Sequence, residues 1–213
     1  MTRFVFIRHG QSEGNLHNLF VGRTSSVPLT ALGRRQAMLS RDFLKNERFD
    51  LAVSSPLLRA YETGSIVLGD RPLPLIPVDG LMEIDGGEWE CMRFEDLPIK
   101  YPAMYDTWRN DFGHACPTGG EAVADLGARV VREVLRLARE YPDRNVLAAS
   151  HATPIRMLRV FSLGIPFERA GEIAWPSNAS VSIFRVEGDR ITSEAYDLSE
   201  HMGDCGTRLS KLI

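Results

Sequence analysis

Three short apolar runs, at 4–7, 50–54 and 145–149, are separated by longer stretches of helical periodicity, and this alternation restricts the possible folds more than any other feature of the chain. Neighbouring parallel strands need long crossover connections, most simply helices. The pattern therefore predicts an α/β fold, a three-layer sandwich with a mostly parallel sheet covered by helices on both faces. Thr30 reads as the N-cap of a helix running to about residue 45, with Leu32, Met38, Leu39 and Phe43 at helical spacings. Ser54-Ser55-Pro56 reads as a strand end, an N-cap and a proline at the first helical position, which puts Arg59 in the first turn or so. Val123, Leu126, Val130, Val134, Leu137 and Tyr141 form one apolar stripe on a helix over 122–141. Runs 181–186 and 191–196 around Glu187-Gly188-Asp189 predict a closing hairpin.

A length of 213 residues fits a single domain over 1–213, large enough to fold without disulfides or metals. Within it, 84–117 loses regularity and is dense in aromatic and basic residues, including Trp89, Arg93, Phe94, Lys100, Trp108 and Arg109. We read it as a small cap insertion over the sheet edge, with about half of those aromatics serving a subsidiary core. A net charge of −3 gives no pull toward nucleic acid or anionic membrane. The arginines at 129, 132, 136, 139 and 144 alternate with acids and read as a solvated helix face. Cys91, Cys116 and Cys205 are widely spaced and odd in number, which points to no disulfide framework or zinc site. His17, His114 and His201 lack metal-ligand spacing, so no metal or other cofactor is expected. Without a signal-peptide core or membrane span, the expected location is cytoplasmic, as a monomer or homodimer.

Chemistry-bearing residues follow the strands. Arg8-His9-Gly10 ends the first, Arg59 lies just after the second, and His151 follows the run at 145–149. Ligands of open α/β sheets bind at the carboxyl ends of the strands. Taken alone, the first tripeptide reads equally as a core histidine followed by a turn glycine. Together, two guanidinium groups and two imidazoles at one sheet edge suit phosphoryl transfer, which needs its oxygens clamped while a nucleophile approaches in line. A neutral His9 has a lone pair for that attack, and cations around it, including a protonated His151, would keep it neutral.

The motifs also occur in a familiar order. Arg8-His9-Gly10-Gln11-Ser12-Glu13-Gly14-Asn15 resembles the phosphohistidine signature of the histidine phosphatase (phosphoglycerate mutase-like) superfamily. Leu29-Thr30 to Gln36-Ala37, Ser54-Ser55-Pro56 to Thr63, Leu81-Met82-Glu83 with Gly87-Glu88-Trp89-Glu90, Gly119-Gly120-Glu121, and Ser150-His151 with Ile155-Arg156 are similar to its further motifs. The resemblance implies a phosphoglycerate mutase-like fold and a metal-independent phosphomonoesterase acting on a small phosphorylated metabolite. In that reading His9 is the phosphorylated nucleophile, Arg8, Arg59 and His151 bind phosphoryl oxygens, and Glu83 is the proton donor. Asn15, Ser12, Gly22 and Arg23 line the phosphate or substrate site. From the residues alone, Glu83 reads more readily as a solvated loop carboxylate than as a catalytic acid, Ser12 equally as a turn cap, and Arg23 as a solvated loop charge.

The chain departs from the family pattern at Cys91 and Ala152, where glycines are common, at Ala122, where serine is common, and at Ser25-Ser26, where an aspartate is often found. Two other functions compete with hydrolysis. A phosphoglycerate mutase is disfavoured because the adjacent arginine pair of such enzymes lies in the cap, whereas Arg34-Arg35 here falls on the first helix. A catalytically silent phospho-ligand module is disfavoured by the presence of both histidines, both arginines and Glu83.

Overall fold

A computed structural model of the protein describes residues 1–207. Within them, strands β1 (Thr2–Arg8), β2 (Leu51–Ser54), β3 (Leu75–Pro77), β4 (Asn145–Ser150), β5 (Val181–Glu187) and β6 (Arg190–Leu198) form one sheet in the order β3-β2-β4-β1-β5-β6. The β3, β2, β4 and β1 strands run parallel, and β5 and β6 add an antiparallel edge. Helices α1 (Glu13–Leu16), α2 (Ala31–Phe43), α3 (Leu58–Leu68), α4 (Leu97–Lys100), α5 (Pro102–Asn110), α6 (Val123–Glu140) and α7 (Ala152–Ser162) connect them.

Strand alternation builds the two interiors. Phe4 and Phe6 of β1 join Val146 and Ala148 of β4 in a cluster with Leu126, Val130 and Val134 of α6 and Ile155 and Leu158 of α7. Val5, Ile7 and Leu147 point to the opposite face and meet Ala37 of α2 and Val67 and Leu68 of α3. Each fully buried aliphatic or aromatic side chain contributes roughly 1.5–3 kcal/mol, so a central strand apolar on both faces is well fixed. Trp89, Phe94, Leu97, Trp108 and Phe112 from 84–117 belong to the first of these clusters rather than to a core of their own. Among the described residues, no helix is long and apolar enough to cross a membrane.

Several local expectations need correction. Helix α2 is capped by Thr30, whose hydroxyl accepts from Gly33 N, but it ends at Phe43. It buries Gly33, Gln36, Ala37 and Ser40, while Met38 and Phe43 are exposed. The reason is proximity: a Cβ on Gly33 would lie 2.0 Å from Gln11 O, and one on Gly10 would lie 2.3 Å from Gly33 O. Glycine at 33 lets this helix touch the loop after β1, and Gln36, one turn on, accepts from Gln11 N. Helix α3 starts at Leu58 with Leu57 as its cap, not at Pro56 after a Ser55 cap. The Ser55 hydroxyl has another partner, described below. Tyr141 lies just beyond the carboxyl end of α6, as its C-cap.

Candidate active site

Register brings the chemistry together. Arg8 pairs with Ser150 and Ser54 with Ala149, so β1, β4 and β2 end at one level. His9 N donates to Ser150 O at 3.0 Å and Ser55 N to Ala149 O at 2.9 Å, extending that level into the loops. The rings of His9 and His151 consequently lie 5.3 Å apart. Arg59, second residue of α3, reaches the same place and donates to the carbonyls of Gly22 (2.7 Å) and Thr24 (3.0 Å). Arg8, His9, Arg59 and Glu83 all line one cleft of about 490 Å³, open mouth included.

The His9 ring is oriented from within its own loop. Nδ1 lies 2.7 Å from Gly10 O, and since a carbonyl only accepts, the proton sits on Nδ1. Burial first, then the charges of Arg59 and Arg8, hold the His9 pKa well below 6.5. A neutral ring in this tautomer carries its lone pair on Nε2. His151 is also driven well below 6.5, by burial and then by Arg59, so the expectation of a protonated His151 is not met. Its Nε2 lies 2.8 Å from Ser55 Oγ, which also accepts from Leu57 N at 3.3 Å ahead of α3. Arg8 and Arg59 are lowered to about 10 by burial and remain cationic at neutral pH. Arg8 Nη1 donates to Pro176 O at 2.6 Å, whereas Arg8 Nε and His151 Nδ1 are buried without a partner among the described residues.

Glu83 is 8 % exposed, not a solvated loop carboxylate. Its Oε1 accepts from Ile84 N at 2.8 Å and its Oε2 from Thr153 N, in the first turn of α7, at 3.4 Å. Its main chain is braced from α6: Arg129 donates to the carbonyls of Gly80, Met82 and Glu83 at 2.9–3.3 Å. Glu121 accepts from Arg129 Nε at 2.9 Å and from Arg23 Nη2 at 3.1 Å, tying the brace together. Arg129 therefore leaves the solvated face assigned to it from sequence. Its place beside Leu126 and Val130 on α6 was the available signal, but its carbonyl partners lie 46–49 residues away.

Ser12 and Asn15 line the cleft and form a capping box at the start of α1. Asn15 Oδ1 accepts from Ser12 N and from Asn178 Nδ2. Gly22 lines the cleft with a left-handed φ of +52°. Arg23 does not line it: besides Glu121, Arg23 holds the Glu83 carbonyl at 3.3 Å and approaches Asp85 at 3.7 Å, which uses its guanidinium on the Glu83 loop. Asn178, fully buried, was missed from sequence; its amide joins His9 O to Asn15. Lying in the turn-forming run Ser177-Asn178-Ala179-Ser180, it carried no signal of contact with the loop after β1.

The departures also find places. Cys91 adopts φ +63°, the left-handed conformation that favours glycine. Ala122 is the N-cap of α6 and supplies no side-chain cap. Ala152 lines the cleft, and Ser25 and Ser26 are exposed.

A cleft lined by one neutral imidazole, His9, and two buried cations, with His151 buried behind it, has the chemistry to take an anionic group at the carboxyl edge of a parallel sheet. The chain belongs to the histidine phosphatase superfamily, branch 1, whose family model matches residues 4–198. It is a phosphatase, like its named relatives. It is 36 % identical over 166 residues to the adenosylcobalamin/alpha-ribazole phosphatase of Escherichia coli, covering 78 % of this chain and 81 % of that one. Phosphoserine phosphatase 1 of Hydrogenobacter thermophilus is 28 % identical over 213 residues and the whole of both chains. Among solved structures, mycobacterial glucosyl-3-phosphoglycerate phosphatase superposes with a TM-score of 0.85 at 28 % identity, over 92 % of this chain and 99 % of the other.

Proposed function

We propose that the protein hydrolyses a small phosphorylated metabolite through a phosphohistidine on His9, without a metal. The observation that carries the reading is the Nδ1 contact with Gly10 O in a ring kept neutral by burial, which leaves the Nε2 lone pair as nucleophile. Nε2 attacks phosphorus, the bond to the ester oxygen breaks, and Glu83 gives its proton to the departing alkoxide. A water then attacks the phosphohistidine, Glu83 takes its proton, and the N–P bond breaks to release inorganic phosphate.

Arg8 and Arg59 balance the charge on the transferring group, a task a metal would otherwise perform. Arg8 Nε is a donor the fold itself does not use. His151 offers a further one: with Ser55 Oγ donating to Nε2, its neutral ring carries the proton on Nδ1. Asn15, its oxygen occupied, has its amide nitrogen to offer. Hydrolysis is preferred to mutase chemistry because Arg34 and Arg35 lie on α2 away from the cleft, with Arg34 bonded to Glu62 at 2.6 Å.

Brief reaction with p-nitrophenyl phosphate, quenched in alkali, tests this. Acid-labile, alkali-stable phosphate on the native protein and none on His9→Ala is expected, with turnover maintained in excess chelator. Phosphate release by His9→Ala at the native rate would overturn the mechanism.

A further inference from the structure

The cleft has two chemically different ends. Donors surround His9, but the walls leading outward are Leu19, Phe20, Val21, Phe94, Trp108 and Trp175. Phe20 contacts Phe94 and Trp108 with centroid separations of 5.5 and 5.3 Å, and Trp108 stacks with Trp175 at 6.2 Å, so the wall is a continuous aromatic surface. Apart from Arg8, Arg59 and Glu83, no Lys, Arg, Asp or Glu among the described residues lines it.

Nearby cations are directed elsewhere. Arg93 pairs with Glu95. The Lys100 ammonium sits over the Tyr101 ring at 5.1 Å. Arg23 serves Glu121 and the Glu83 loop. Arg156 lies behind the wall, its guanidinium carbon 4.1 Å from the centroids of both Phe112 and Trp175 and its nitrogens on the carbonyls of Ile173 and Gly171. Arg109 borders the hollow on that same far side. A second anionic group on the substrate would thus lose its water against rings and meet no counter-charge.

Resting on the phosphatase reading above, we infer that this cleft selects monoesters whose alcohol part is uncharged and apolar, aryl or arylalkyl, and discriminates against those carrying a carboxylate or a second phosphate. Sugar-acid and amino-acid phosphates are poor fits, and compact esters ending in an aromatic ring are good ones.

Two non-hydrolysable ligands with the same three-carbon linker isolate this selection: 3-phenylpropylphosphonate and 4-phosphonobutanoate, titrated calorimetrically into the native protein and Leu19→Lys. At least tenfold tighter binding of the phenyl compound to the native protein is expected. Leu19→Lys, which adds a cation at the half-buried rim, should shrink that gap at least threefold, chiefly by tightening the carboxylate compound. Equal or tighter native binding of 4-phosphonobutanoate, or an unchanged gap in the variant, would overturn the inference. Turnover of 3-phenylpropyl phosphate and p-nitrophenyl phosphate is measured alongside. Selective phosphonate binding with neither ester hydrolysed would sink the phosphatase mechanism and leave the selectivity standing, whereas hydrolysis with reversed selectivity would do the opposite.

Discussion

The two sides of the catalytic cleft are held by different means. His9, His151 and their neighbours hang from the ends of three strands in mutual register, so main-chain pairing sets their spacing. Glu83 sits on a loop whose carbonyls are held mainly by side chains, Arg129 on Gly80, Met82 and Glu83 above all, with Arg23 on Glu83 and Ser150 on Leu81. In the proposed mechanism the nucleophile and phosphate clamp are placed by sheet register, while the acid depends on a polar brace that a single substitution can loosen.

Removing a clamp cation should have the largest effect. Arg59→Ala is expected to lower kcat/KM about 10³-fold, because a buried cation on the transferring group is strongest at the transition state. A loss below tenfold would mean that the strand side does not carry the charge. Next comes Glu83→Gln, expected to slow alkyl esters about 10²-fold in kcat and p-nitrophenyl phosphate much less, since a good leaving group needs little protonation. Equal losses on both esters would deny Glu83 the proton.

Protons test the strand side without chemistry. Both histidine pKa values are lowered in the fold, so below 6.5 the unfolded chain binds protons the folded one resists. Their contribution is therefore fully present above about pH 6.5 and lost as pH falls, by up to about 2.7 kcal/mol per pH unit while both rings stay neutral in the fold. Urea midpoints of the native protein should drop more between pH 7.0 and 5.5 than those of the His9→Gln, His151→Gln double variant; parallel curves would refute buried neutral rings.

The brace should respond more gently. Arg129→Met leaves three carbonyls short of a donor and is expected to cost about 1–3 kcal/mol of stability. It should also reduce kcat for alkyl esters about tenfold with little change in KM, as a positioning residue would. Identical losses in Glu83→Gln and in the combined Glu83→Gln, Arg129→Met variant would show that Arg129 acts through Glu83. Smallest of all, Ala122→Ser should stabilise the protein by about 0.5–1 kcal/mol by capping α6, with kinetics unchanged.

Legibility in the sequence divides along the same line. Phe4 to Ile7 and Val146 to Ala149 are apolar on both sheet faces, which marks central strands and hence the residues just after them. Arg59 falls in the first turn of α3 as expected although the helix begins three residues after Ser55, whose hydroxyl meets His151 and accepts from Leu57 N before the helix starts. Strand β3 is a three-residue edge piece ending in Pro77, too short to show alternation. On α2 the apolar residues suggested the wrong buried face, since Gly33 and Gln36 are what meet the loop after β1 there. Arg129 and Asn178 act across long separations that no local period reveals.

The loop carrying His9 is tied to Ser150, Thr63 and Gln36, and also to a late segment: Arg8 N to Ser180 O, Ala179 N and Asn178 Nδ2 to His9 O, and Arg8 Nη1 to Pro176 O. The separation from Asn178 is 169 residues. During synthesis these late bonds to the His9 loop can close only after residue 180 has left the ribosome. A polypeptide stopped short of residue 176 would hold Arg8, His9, Arg59, Glu83 and His151 and still lack this last set of ties on the imidazole's loop.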